Sequence, residues 1–158
     1  LIDLVGMKSI NETMESLGLQ HTRVQRKMID QQASIRNEEN ISSPAEAVKI
    51  LQMLYDGKFI NKEVSDGVLS ILAKNPVENS KLANGLPPNV KIAFKPGGMG
   101  GVSTEWGIIY LSGKPYAVAV MDNYRAETAG TNVFGDISKA LYNYYSKLAR
   151  ATKYGVIL

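Results

Sequence analysis

The stretch Val90-Lys91-Ile92-Ala93-Phe94-Lys95-Pro96-Gly97-Gly98-Met99-Gly100-Gly101 constrains the chain more than any other. Val90, Ile92 and Phe94 alternate with Lys91, Ala93 and Lys95, the period-two pattern of a half-buried strand. That strand places Lys95 on the face opposite the Val90/Ile92/Phe94 stripe, where the chain passes into glycine. A glycine-dominated backbone can approach a ligand closely and turn its N–H groups towards it. Lysine followed by such N–H groups suits an anion or a developing oxyanion. A hairpin loop that begins with a solvated lysine fits the same local pattern.

Several function classes fall away. At 158 residues the chain is one domain's worth of polypeptide. A net charge of +3, without a basic run or stripe, implies no nucleic-acid partner. No apolar run approaches the roughly 20 residues of a membrane-spanning helix. Cysteine is absent, which excludes disulfides, a thiol nucleophile and thiolate metal sites. The lone histidine, His21, excludes a multi-histidine metal centre and reads as a turn residue between Gln20 and Thr22. Neither cofactor nor metal is implied.

The chain opens on Leu1-Ile2-Asp3-Leu4-Val5-Gly6, which reads as the last turns of an apolar helix closed by glycine. With no start signal before it, the chain is expected to begin inside a domain. A helix follows from Met7 to Leu17 on Ile10, Met14 and Leu17, with Gly18 as its C-cap. Thr22 to Asn40 is polar, irregular and longer than the usual connection, as expected of an ordered Ω-type loop or a solvated linker. Ser43-Pro44-Ala45-Glu46 starts a helix, with Ser43 as N-cap, proline at the first position and Glu46 completing a capping box. Val48, Leu51, Leu54 and Tyr55 form its apolar face. Asn61 caps the next helix, with Val64, Val68, Ile71 and Leu72 on one side and Asn75-Pro76 ending it.

After the loop from Leu82 to Asn89 and the strand ending at Lys95, two more strands are expected. They run from Trp106 to Leu111 and from Tyr116 to Met121, joined by Ser112-Gly113-Lys114-Pro115. A final helix carries Ile137, Leu141, Tyr144, Tyr145 and Leu148, its tyrosines read as packing residues. Helices, then three antiparallel strands, then a covering helix make an α+β fold in one domain. Its helices and Ω-type loop occupy 1–89, and its strands and last helix 90–158.

Four segments carry a resemblance: Leu17-Gly18-Leu19 with Thr22-Arg23-Val24, Arg36-Asn37-Glu38-Glu39-Asn40-Ile41-Ser42-Ser43-Pro44, Phe94-Lys95-Pro96-Gly97, and Trp106-Gly107-Ile108-Ile109-Tyr110. In that order they resemble the C-terminal portion of a class A β-lactamase-like serine hydrolase, a superfamily that includes the penicillin-binding DD-peptidases. The resemblance implies a serine of S-x-x-K acylated by a β-lactam or a peptidoglycan stem peptide, S-D-N across the cleft, and K-T-G on a strand. Lys95 matches the lysine of K-T-G, implied to be catalytic and to hold the substrate carboxylate. Gly97 matches its glycine, and Gly98 the backbone N–H that forms half of the oxyanion hole. The resemblance also implies an extracytoplasmic location.

Three departures qualify the match. S-x-x-K and S-D-N would lie upstream of Leu1, so the chain alone has no nucleophile. Pro96 replaces the threonine of K-T-G, removing a hydroxyl and an N–H. The glutamate that activates the deacylating water falls at Met28, and a thioether is no base, though Asp30, Glu38 and Glu39 lie nearby. Efficient β-lactam hydrolysis is therefore not expected of this chain. The alternatives are a catalytically silent binding or scaffolding domain and an unrelated α+β anion-binding domain. A missing N-terminal half, in the same polypeptide or a second chain, is expected to cover a sheet edge and an apolar face.

Overall fold

The computed structural model describes residues 1–123, 133–152 and 155–156. The chain divides into two compact units, Leu1–Ala47 and Val48–Leu158. The division falls inside one helix.

The first unit begins with α1 (Ile2–Val5) and α2 (Met7–Ser16), separated by Gly6 at φ 84°. Gly18, at φ 71°, turns the chain out of α2 as its C-cap position required. The segment from Thr22 to Asn40 is more ordered than its composition suggests. Asn11 on α2 donates to the Val24 carbonyl and accepts from the Val24 N–H, both at 2.9 Å. Arg23 and Ile41 form an antiparallel bridge that closes the base of the loop. Inside the loop a short helix, α3 (Gln31–Ile35), corrects the irregular reading. Asp30 caps it by accepting from the Ala33 N–H at 3.0 Å, and Ala33 is buried. So short a helix has little periodicity, and cap and burial hold it.

Ser43 caps α4 (Pro44–Tyr55) by accepting from the Glu46 N–H at 3.3 Å. The Glu46 carboxyl does not complete the expected capping box. It is buried and accepts from the His21 N–H at 2.8 Å and the Thr22 hydroxyl at 2.6 Å. A carboxylate that expected to serve its own helix start instead ties the chain at 21–22 to α4.

In the second unit Asn61 caps α5 (Lys62–Leu72) by accepting from the Val64 N–H at 2.9 Å. Leu72 is buried as expected, whereas Ile71 is 65% exposed. The sheet has order β1 (Ile92–Met99), β2 (Val102–Ile109), β3 (Tyr116–Asn123), all antiparallel. β1 runs four residues past Lys95, through Pro96, Gly97 and Gly98. Those glycines read as a loop because they lack side chains to alternate, but the facing strand supplies the pairing. α6 (Val133–Ala149) follows, then a short hairpin of β4 (Ala151–Thr152) and β5 (Gly155–Val156) that the pattern did not announce.

Ile92, Phe94, Ile109, Tyr116, Val118 and Val120 share one sheet face and pack with Leu82 and Phe134. The Tyr145 ring of α6 stacks on Tyr116 at 4.4 Å, which bears out a packing role for that tyrosine, while Tyr144 is 58% exposed. Burial pushes the Tyr116 phenol up to about 12. Opposite Phe94, Gly107 is obligatory, since a Cβ there would lie 2.5 Å from the Ala93 carbonyl oxygen and 2.9 Å from Phe94 Cβ. On the other face Ala93 and Ile108 are also fully buried. There a cavity of about 370 Å³ lies between Val48, Gln52 and Tyr55 of α4 and Ile108 and Ala117 of the sheet. The sheet thus sits between helices, an α+β fold.

A fully buried carboxyl, Glu105, joins the sheet to the chain before it. It accepts from the Ser80 hydroxyl, from the Lys81 N–H at 2.7 Å and from the Leu82 N–H at 3.4 Å. Ser80 in turn accepts from the Ala83 N–H at 3.0 Å. Removing that carboxyl strands buried donors. Glu105→Ala is expected to cost about 2–4 kcal/mol of stability and Glu105→Gln roughly half as much, measured by urea unfolding. Equal, negligible losses would contradict this account.

The first unit carries an acid-sensitive pair. The Ser34 hydroxyl, and then Arg26, hold the Glu39 carboxyl below its ordinary range. Burial acts to raise Glu46, but the Thr22 hydroxyl and backbone N–H groups of His21 and Thr22 bring it below that range. Both folded values are depressed, so their stabilisation is complete above the unfolded glutamate value of about 4.3 and is lost as pH falls through the folded values. The unfolding midpoint should hold from neutrality to about pH 5 as far as these groups go, then fall. The fall should be shallower in Glu39→Gln and Glu46→Gln than in the parent.

Candidate functional site

The site residues read from the sequence lie on the outer strand of the sheet. The Tyr110 N–H donates to the Lys91 carbonyl at 2.9 Å, one step beyond the Ile92↔Ile109 pair. In an antiparallel ladder, residues that bond to the partner alternate with residues that turn their peptide groups away. Lys91 belongs to the first kind, so Ala93, Lys95, Gly97 and Met99 do as well. Ile92, Phe94, Pro96 and Gly98 direct N–H and C=O to the outer edge.

Two contacts agree with this parity. The Phe94 carbonyl accepts from Asn75 Nδ2 at 2.5 Å, and the Pro96 carbonyl accepts from Lys95 Nζ. Pro96 therefore stands where its missing N–H breaks no bond to β2. Gly98, two residues on, presents its N–H along the same open edge. The edge at 96–98 offers an amine, an outward N–H and two outward carbonyls.

Lys95 is exposed on the face opposite Phe94, as its alternation required. Its cross-strand partner is Trp106, and Gly97 faces Thr104. A Cβ on Gly97 would lie 2.5 Å from Thr104 Oγ1, so the bare glycine leaves room for that hydroxyl. Thr104 was not among the residues the sequence singled out. Only the pairing register brings it beside Gly97.

In the first unit, Met28 is 67% exposed and the carboxyls near it are all engaged. Asp30 caps α3. Glu38 accepts from Arg36 Nε and Nη2 at 2.8 and 2.9 Å. Glu39 accepts from Arg26 Nε and Nη2 at 2.8 and 2.6 Å and from the Ser34 hydroxyl. The Arg26 guanidinium is only 7% exposed, so this pair closes the loop from 26 to 39. The carboxyls that neighbour Met28 in sequence serve as a cap and two ion pairs. His21 is exposed, as read.

The sequence matches the model of the Beta-lactamase enzyme family over residues 1–145. The chain belongs to that family. No curated protein matches the chain. Among solved structures, a β-lactamase from Sphaerobacter thermophilus is 27% identical, with a TM-score of 0.79, and the match covers 92% of this chain and 56% of that one. PBP-A is 21% identical, with a TM-score of 0.78 and coverage of 92% and 54%. A class A β-lactamase from Bacteroides cellulosilyticus is 23% identical, with a TM-score of 0.76 and coverage of 90% and 55%. The chain thus spans about half the length of the family structures it matches. Among the described residues, no helix is long and apolar enough to cross a membrane.

The parity of β1 makes a sharp prediction. Pro96→Thr should change stability by less than about 1 kcal/mol, because the restored N–H meets water at the edge. Proline moved one residue on, as Gly97→Pro, removes a bond to β2 and should cost about 3 kcal/mol or more. Thermal melting of both variants checks this, and equal effects would reverse the assignment of outward residues.

Proposed function

We propose that this chain carries one wall of a penicillin-interacting serine-hydrolase site, with the nucleophilic serine supplied by a segment outside these residues. That segment is an upstream part of the same polypeptide or a second chain, and residues 1–158 form the C-terminal portion of one domain. The substrates are peptidoglycan-type amides or esters and β-lactams, and the location is extracytoplasmic. The observation that carries the reading is the open edge of β1, where Lys95 and the outward Gly98 N–H lie together on a family sequence. Lys95 holds the substrate carboxylate and assists proton transfer. The Gly98 N–H donates to the oxyanion formed as the acyl carbonyl is attacked. Gly97 lets the substrate approach the strand. A PBP-A variant has been solved as an acyl-enzyme complex with penicillin G, chemistry consistent with this site.

Turnover on such a site is slow. Met28 offers no base, and Asp30, Glu38 and Glu39 are held by other partners. The product is an acyl-enzyme that persists. A silent binding domain of the same fold is the second reading, favoured by the joint presence of Pro96 and Met28.

Intact mass after incubation with penicillin G separates the two. The longest polypeptide containing residues 1–158 should gain one penicillin, retain it for hours, and gain it at least about tenfold more slowly as Lys95→Ala. Residues 1–158 alone should gain none. No adduct on the longest polypeptide or on any chain that co-purifies with it would establish the silent reading.

A further inference from the structure

We infer that the cavity between α4 and the sheet binds a small quaternary ammonium ion that carries an oxygen, the chemistry of choline in its free, soluble form. The inference is independent of the site on β1 and uses residues of the second unit alone.

Four observations carry it. First, three aromatic rings line the cavity, from Tyr55 of α4, Tyr116 of β3 and Tyr145 of α6. Tyr116 and Tyr145 stack at 4.4 Å with 15° between their planes, which fixes both rings. The face of a tyrosine ring is the negative end of its quadrupole and attracts a cation within about 6 Å of its centre. Second, among the described residues of the lining Asp56 alone is charged, and its charge is negative. Lys58 Nζ lies 3.5 Å from Asp56 Oδ2, but so long and exposed a pair is weak and leaves the carboxylate attractive to a second cation. Third, the last turn of α4 contributes Gln52 and Tyr55 to the lining. A helix C-terminus is the negative end of its macrodipole and favours a cation beside it. Fourth, Tyr116 is buried and its hydroxyl has no hydrogen-bond partner among the described residues. A buried donor without an acceptor is costly, and an oxygen on the ligand would satisfy it.

The rest of the lining selects the kind of cation. Val48, Ile108 and Ala117 offer only apolar side chains. A primary ammonium would lose its hydrogen bonds to water against such a wall. A quaternary ammonium has no N–H to strand and presents methyl groups to carbon and ring. The cavity's volume of about 370 Å³ falls within the range of roughly 300–1,000 Å³ that small-molecule sites occupy.

The test is equilibrium titration of the longest polypeptide containing residues 1–158 with choline chloride and with its tert-butyl analogue, in which carbon replaces nitrogen and the charge is gone. Choline should saturate the site, and the analogue should bind at least about tenfold more weakly. Tyr55 and Asp56 are exposed, so substituting them leaves the core intact. Asp56→Asn should weaken choline roughly fivefold and leave the analogue unchanged. Tyr55→Leu should weaken choline by a similar factor, whereas Tyr55→Phe keeps the ring and should bind as the parent does. Tyr116→Phe should weaken choline but not tetramethylammonium, which has no oxygen to accept from the hydroxyl. If choline and its analogue bind equally, the cavity is an apolar space and the inference fails. If Asp56→Asn and Tyr55→Leu both bind choline as the parent does, the cation sits elsewhere and the inference fails. Absence of saturation by choline also overturns it. Binding to phosphatidylcholine vesicles without binding to free choline would overturn the soluble ligand.

Discussion

Antiparallel pairing gives each residue of an outer strand one of two roles, and the register of β1 against β2 assigns them. Odd residues from Ala93 to Met99 spend their peptide groups on β2. Even residues turn theirs outward, so Pro96 is tolerated and Gly98 offers a donor. The same register fixes the faces. It puts Phe94 in the core, Lys95 in solvent and Thr104 beside Gly97. A slip of one residue would exchange all of these roles at once.

The core is built to hold that register. Phe94 is fully buried and meets no side chain across the pair, because Gly107 gives it the room. Glu105, two residues before Gly107, spends its carboxyl on donors of the 80–82 segment. A carboxyl buried among neutral donors stabilises only while every donor keeps its place, so it ties strand and loop to one geometry. Lys81 joins the arrangement from outside, with its ammonium on the Ser103 hydroxyl and 5.2 Å from the centre of the Phe134 ring. A charged residue in a strand reads as a solvent-facing position, and here its face is the packed one.

The loop of the first unit is held by an ion pair and a helix cap. Arg26 and Glu39 close a loop whose intervening residues include exposed Met28 and Ile29, the latter at φ 64°. That region has no legible period in its sequence because α3 is held by Asp30 and one buried alanine, neither of which produces one. The carboxyls in it, Asp30, Glu38 and Glu39, are of a type that suits base chemistry. Their partners, Ser34, Arg36, Arg26 and the Ala33 N–H, are what remove them from it.

Much of the architecture was legible from residues alone. Alternation announced β1, Ser43 and Asn61 announced helix starts, Gly6 and Gly18 announced helix ends, and the ordered motifs announced the family. These are local signals, because caps, glycine turns and period-two stripes act over a few residues. What tertiary structure decided is long-range. That β1 continues through Pro96 and the glycines, that Glu46 serves the chain at 21–22, that Glu105 lies inside, and that Thr104 leans over Gly97 all depend on partners distant in sequence. A sequence states which groups a residue carries. Only the fold states which partner satisfies each group, because burial makes an unpaired polar atom costly and selects the arrangement that pairs it.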